Sequence, residues 1–229
     1  MAANAVIVAA AFVASRLLGM VREIIIAAQF GTSPDYDAYV AAFRIPDLLF
    51  LVVMSGAFGS AFIPVFGGFL GRGDRERAWN LASAILTYTI AILTVTGIMV
   101  FALAGTLMRD IVAPGLAPEQ QTVATNLTRL LLLSPLLLGL GAAAKGMLEA
   151  QDAFTLPAIA PVLYNVGIIV GAVALAPAFG VYGLAIGVII GALAHAGIQF
   201  AGLIRRGARF RPILARNIDG LGEVARLMG

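Results

Sequence analysis

Six apolar stretches, at about residues 4–30, 37–70, 78–108, 122–148, 156–176 and 182–204, make up most of this chain. Each can cross the hydrocarbon core of a bilayer, which takes about 20 residues of helix. Apolar residues make up 61% of the sequence and charged residues 12%, about half the charge of a soluble domain. The expected fold is therefore an all-α polytopic membrane protein built as a six-transmembrane-helix bundle. The second stretch is too long for one straight span, and Pro46, Gly56, Gly59 and Pro64 predict a bent or broken helix there. Pro135 predicts a kink in the fourth. Met1-Ala2-Ala3-Asn4 lacks the basic start of a secretory signal. With no cysteine, disulfides and thiolate metal sites are excluded.

The loop charges set a direction. One side carries Arg72, Arg75 and Arg77, then Lys145 near a helix end, then Arg205, Arg206, Arg209, Arg211 and Arg216. The other side carries Arg109 with Asp35, Asp110 and Glu119 beside it. Basic loops stay in the cytoplasm, so both termini are expected there. The excess of arginine is read as topology, and no nucleic-acid partner is implied. Residues 1–206 form the expected six-helix lobe. Residues 207–229 form a basic, weakly amphipathic segment that either lies on the membrane surface or begins another element.

Inside the first stretch stands Ser15-Arg16-Leu17-Leu18-Gly19-Met20-Val21-Arg22-Glu23. At about 100° per residue, Ser15, Arg16, Gly19, Arg22 and Glu23 fall within roughly one third of a helix circumference. Ionisable groups at that depth cost kilocalories each, so they need partners or water. The second stretch repeats the theme: Asp37 and Arg44 are seven apart and share a face, with Asp47 a turn further on. In the plain structural reading these charges only pair helices. Buried ion pairs add little net stability, however, so the whole set points to a polar cavity. An arginine-rich cavity suits an anion, because the guanidinium stays charged and grips phosphate oxygens two at a time. There is no nucleophile triad, phosphate loop or metal-ligand spacing, so neither an enzyme nor a cofactor is expected.

These residues resemble a known family. Ser15-Arg16, Gly19 and Arg22-Glu23, then Phe30-Gly31, Asp37-Ala38, Phe43-Arg44-Ile45-Pro46-Asp47-Leu48-Leu49 and the run from Gly56 to Pro64 are similar to the opening of the MurJ (MviN) lipid II flippases. These belong to the multidrug/oligosaccharidyl-lipid/polysaccharide (MOP) exporter superfamily. Leu156-Pro157, Pro161 and Tyr164-Asn165 resemble the family's fifth-helix entry. The resemblance implies one lobe of a V-shaped transporter of MATE-like fold. That lobe faces a second, C-terminal lobe, absent here, across a cavity that takes the diphosphate and sugar head of lipid II. It implies substrate contacts by Arg16, Arg22, Glu23, Asp37 and Asp47, with Ser15 beside them and Arg44 as a further candidate. It also implies a bacterial inner-membrane setting among membrane lipids, and a seventh helix beginning where this sequence stops. Two positions depart from the pattern: Phe50 stands where many members have arginine, and Ser55 where many have an acid. Flippases for other polyprenyl-diphosphate-linked oligosaccharides, MATE-like exporters and a non-transporting scaffold therefore stay open.

Other polar residues read more plainly. Lys145 and Glu149 form an i,i+4 pair. Arg129 either faces the cavity or snorkels. His195 is expected to make an interhelical hydrogen bond, and Asn165 to hold helices together. Gly167, Gly171, Gly183, Gly187 and Gly191 predict close helix packing, and Trp79 an interfacial anchor.

Overall fold

The computed structural model describes residues 2–54, 61–214 and 217–228. All regular structure among them is helical: α1 (Ala2–Phe30), α2 (Pro34–Met54), α3 (Ile63–Gly71), α4 (Arg75–Leu107), α5 (Pro118–Leu131), α6 (Leu133–Glu149), α7 (Thr155–Val170), α8 (Ala176–Phe179), α9 (Val181–Arg205) and α10 (Leu221–Met228). π-helical turns extend α4 through Met108–Val112 and α7 through Gly171–Leu175. Five stretches are long and apolar enough to cross a membrane: Ala5–Phe30, Arg75–Val112, Pro118–Glu149, Thr155–Phe179 and Val181–Arg205. The remaining expected crossing, the second, includes α2 and α3, with residues 55–60 between them outside the described residues. α1 and α2 each carry three charges within their apolar parts, Arg16, Arg22 and Glu23 on the first and Asp37, Arg44 and Asp47 on the second. The expected helix-breakers Gly56 and Gly59, the departure at Ser55, and Arg216 lie outside the described residues.

Prolines inside the helices leave carbonyls without their i+4 donors, and nearby hydroxyls take them up. Pro46 frees the Ala42 carbonyl, which accepts from Thr128 Oγ1 of α5 at 3.2 Å. Pro135 frees the Leu131 carbonyl, which accepts from Ser134 Oγ at 2.8 Å, where α5 passes into α6. The fourth expected span is thus two helices joined at Leu132.

α7 and α9 form the tightest seam. A Cβ added to Gly171 would lie 2.5 Å from Gly187 Cα and 2.7 Å from the Gly183 carbonyl oxygen. Gly180 turns the chain from α8 into α9 at φ 56°, a left-handed conformation that L side chains rarely adopt. α9 also packs on α6, α1 on α7, and α2 on α5 and α6.

At the arginine-rich end, Phe62, Phe66, Leu81, Met147 and Leu203 are fully buried together with Trp79. Trp79 meets Phe66 and Phe210 edge-on at 5.4 and 5.7 Å, so it is packed among aromatic rings of the core at that end. The segment after α9 runs back along α4. Arg211 and Ile213 donate their backbone N–H to Ser83 Oγ and Thr87 Oγ1, and Tyr88 Oη donates to the Leu214 carbonyl, each at 3.1 Å. Arg77 then pairs with Asp219 at 3.0 Å. Gly220 lies so close to Val65 and Phe69 that a Cβ would sit 2.8–2.9 Å from them. The tail therefore docks on α3 and α4, and Val224 of α10 joins the same core.

Candidate functional site

A hollow of about 260 Å³ opens between α1, α2 and α7. α1 supplies Arg22 and Glu23, α2 supplies Tyr36, Tyr39 and Asp47, and α7 supplies Tyr164. The placement follows from helix periodicity. Tyr36, Phe43 and Asp47 recur at seven and four residues along one face of α2. Phe30, Tyr36, Tyr39 and Phe43 stack or meet edge-on at centroid spacings of 4.9–6.3 Å. Charge on α1 and an aromatic face on α2 therefore border the same space.

Arg22 is the best-held charge. It donates through Nε at 3.1 Å and through Nη2 to Glu23 Oε1, and through Nη1 to Asn165 Oδ1 at 3.0 Å. Asn165 in turn donates to the Ser15 carbonyl at 3.1 Å and to the Pro161 carbonyl at 3.2 Å, with Ser15 Oγ at 3.4 Å. Gly19 faces Asn165, where a Cβ would stand 4.0 Å from Oδ1, an ordinary contact. The Arg22 side chain is 24% exposed and that of Glu23 58%, so the guanidinium is oriented and still reachable. Of five guanidinium N–H groups, three are engaged by Glu23 and Asn165. The other two are free for a pair of ligand oxygens.

The expected α1 stripe divides in two. Ser15, Gly19 and Arg22 lie within roughly 60° and face α7. Arg16, about 100° round from Ser15, is exposed and has no hydrogen-bond or ion-pair partner among the described residues. The face expected to join Asp37, Arg44 and Asp47 also divides. Asp47 lines the hollow, whereas Arg44 reaches the other way and donates to the Val112 carbonyl at 3.2 Å. The cause is angular: Arg44 is about 100° from Phe43, and the π-helical turn after α4 offers it a carbonyl. Asp37 is exposed near the start of α2 and does not line the hollow. Phe50, seven residues beyond Phe43, continues the aromatic face half-buried.

Sequence reasoning left out the tyrosines and gave Asn165 only a packing role. Tyr36, Tyr39 and Phe43 at three- and seven-residue spacing were the available signal, as was the Tyr164-Asn165 pair after Pro161. Other polar residues sit elsewhere. Arg129 donates to the Phe101 carbonyl at 3.3 Å and lies over the Phe101 ring, away from the hollow. Lys145 and Glu149 pair at 3.8 Å as expected. Gln199 Nε2 stands 3.4 Å from His195 Nδ1, so that contact is within α9 and not interhelical.

The sequence profile of the family described as lipid II flippase MurJ matches residues 26–229. A lipid II flippase MurJ from Burkholderia cenocepacia is 37% identical over 201 residues, covering 82% of this chain and 37% of the relative. A probable lipid II flippase MurJ from Buchnera aphidicola (subsp. Acyrthosiphon pisum) is 32% identical over 225 residues, covering 94% and 43%. The chain thus spans less than half the length of these relatives. Among solved structures, lipid II flippase MurJ in an inward closed conformation superposes with TM-score 0.78 at 24% identity, covering 97% of this chain and 46% of that one. A MOP-superfamily transporter from Pyrococcus furiosus gives 0.74 at 18% identity, covering 98% and 50%. Both likenesses concern the fold: a multi-pass helical membrane protein sharing its architecture with MurJ and MATE transporters. The matched profile covers most of the chain, from residue 26 onward, and on that ground the chain belongs to the MurJ lipid II flippase family.

Proposed function

We propose that this chain is the N-terminal lobe of a flippase that moves lipid II across the bacterial cytoplasmic membrane by alternating access, with both ends of the chain on the cytoplasmic side. The observation that carries the reading is Arg22, fixed by Asn165 and Glu23 yet open to the hollow with two donors free. A diphosphate offers paired oxygens to a fork of that shape. In the empty hollow Glu23 neutralises the guanidinium, and an entering diphosphate competes with it. Arg16, exposed and unpartnered on the same helix, adds a second cation on the approach. Tyr36, Tyr39 and Tyr164 give sugar rings apolar faces and hydroxyls to rest on. The polyprenyl tail stays in lipid, so only the polar head needs a protein path. Rocking of this lobe (residues 1–206) against a C-terminal lobe would expose the head to either side. The relatives' names and the arginine-rich loops at one end support this reading.

Phe50 favours one second reading. It puts an aromatic ring where the family resemblance leads one to expect a cation, and a hollow with fewer cations suits a different polyprenyl-diphosphate-linked oligosaccharide. Complementation separates the two. The gene in its full length should rescue a bacterium depleted of its own lipid II flippase, and Arg22→Ala should abolish that rescue while protein levels hold. Full rescue by Arg22→Ala would remove the hollow from the transport path. Failure of the unsubstituted gene, with the protein present in the membrane, would favour the other substrate.

A further inference from the structure

We infer that the arginine-rich end of the bundle holds a second site, separate from the hollow, for an anionic phospholipid: its phosphate headgroup among arginines and an acyl chain in the groove alongside. A cavity of about 790 Å³ lies between the start of α4 and the end of α9. Arg75, Arg205, Arg206, Arg209 and Arg211 surround it, with Glu76 as the single acid in its lining. The Arg205, Arg206, Arg209 and Arg211 guanidinium groups have no acceptor among the described residues. Like charges so gathered repel one another unless an anion joins them. Trp79 lines the same cavity, and its buried indole N–H has no acceptor either.

A second observation makes the ligand a lipid. An apolar groove of about 600 Å³ adjoins this cavity, and Arg211 lines both. Leu86 and Ile90 of α4, Leu140 of α6 and Phe200 of α9 form its walls. α4 and α9 are both long and apolar enough to cross a membrane, and the cavity lies at their arginine-bearing ends. The basin therefore sits at headgroup level, with the groove running from it along the spans. The docked tail fixes this geometry, since Ser83 and Thr87 hold residues 211 and 213 between basin and groove. The assignment does not depend on which substrate the hollow takes.

Trp79 is the only tryptophan of the chain and reports on its own site. The protein, in the full length its gene encodes, is reconstituted in vesicles containing phosphatidylglycerol or phosphatidylcholine with brominated acyl chains, which quench indole fluorescence at short range. A Trp79→Phe variant supplies the background. The brominated anionic lipid should quench Trp79 at a lower mole fraction than the zwitterionic one. Arg205→Gln with Arg209→Gln should cut that preference roughly thirtyfold, which corresponds to about 1 kcal/mol for each arginine near a membrane surface. Arg72→Gln with Arg226→Gln, the same loss of charge outside the basin, should leave it in place. Equal quenching by both lipids would overturn the site. So would a preference that survives the Arg205 and Arg209 changes, or that falls equally in the Arg72 and Arg226 control. Loss of the preference on adding millimolar inorganic phosphate would mean that the basin reads a soluble anion, and would overturn the lipid assignment.

Discussion

The α7–α9 seam and the walls of the hollow are built on opposite principles. Along the seam, glycines bring two backbones together until a single Cβ has no room. At the hollow, α1 is tied to α7 by the hydrogen bonds that join Ser15 and Arg22 to Asn165 as well as by apolar contact, and α2 leans mainly on α5 and α6. In lipid, apolar surface gains little by burial, so helix pairs are held by close van der Waals packing and interhelical hydrogen bonds. The seam uses the first and the hollow uses the second. Hydrogen-bonded walls can change partners, whereas a glycine seam has one register. α7 carries Asn165 and Tyr164 to the hollow on the rigid element, and α1 brings Arg22 from the adjustable one.

Substituting glycines on the two sides breaks or confirms this contrast most directly. Gly171→Leu forces a side chain into the Gly183 and Gly187 backbone and should cost about 3 kcal/mol or more, the upper part of the range for overpacked cores. Thermal unfolding in detergent should show a large fall in midpoint, or no folded protein at all. Gly19→Ala places a methyl 4.0 Å from Asn165 Oδ1, an ordinary contact, and should leave the midpoint nearly unchanged. Equal losses in the two variants would erase the distinction.

Next in size are the changes at Arg22. Arg22→Ala removes charged hydrogen bonds worth roughly 1.5–3 kcal/mol each. Binding of a diphosphate headgroup should weaken by about tenfold to a hundredfold, with a smaller fall in the unfolding midpoint, since Arg22 is partly exposed while the buried Asn165 Oδ1 loses its donor. Unchanged binding, measured by titration calorimetry on the full-length protein, would reduce the Arg22 network to a helix tie. Asn165→Leu, similar in shape, should have a smaller effect of about 1–2 kcal/mol, shared between binding and stability. A double-mutant cycle with Arg22→Ala should return a coupling of at least about 0.5 kcal/mol. Zero coupling would mean that the amide holds α1 without aiming the guanidinium.

What could be read in the sequence follows the same division. The long apolar spans and the glycine seam were legible because length and small-residue spacing act locally along the chain. Arg22, Glu23 and Asp47 were legible as polar positions in apolar surroundings. The division of each charged face was not, because it depends on which neighbour a helix leans on. Arg44 turns to Val112 only because α4 ends in a π-helical turn beside it. Tyr36 and Tyr164 come together only through the packing of three helices. The docked tail was invisible for a related reason. Ser83, Thr87 and Tyr88 look like ordinary polar residues of a helix until the irregular segment after α9 lies across them.

The smallest expected effect tests how firmly the α2 wall is held. Thr128 Oγ1 stands 3.2 Å from the Ala42 carbonyl that Pro46 leaves free, and 2.8 Å from the Ala124 carbonyl of its own helix. One hydroxyl proton serves both, and the shorter contact claims more of it. Thr128→Val keeps the shape, removes the donor and leaves the Ala42 carbonyl without a partner in a fully buried place. Interhelical hydrogen bonds in membranes average about 0.6 kcal/mol, and sharing the proton keeps this one near that figure. The unfolding midpoint should then fall by about 2 °C, while the α7–α9 seam, probed by cross-linking between introduced cysteines, stays as it was. A fall as large as that of Gly171→Leu would mean that α2 is locked as firmly as α9. In that case the hollow would have no adjustable wall on the α2 side, and any movement that opens it would have to come from α1.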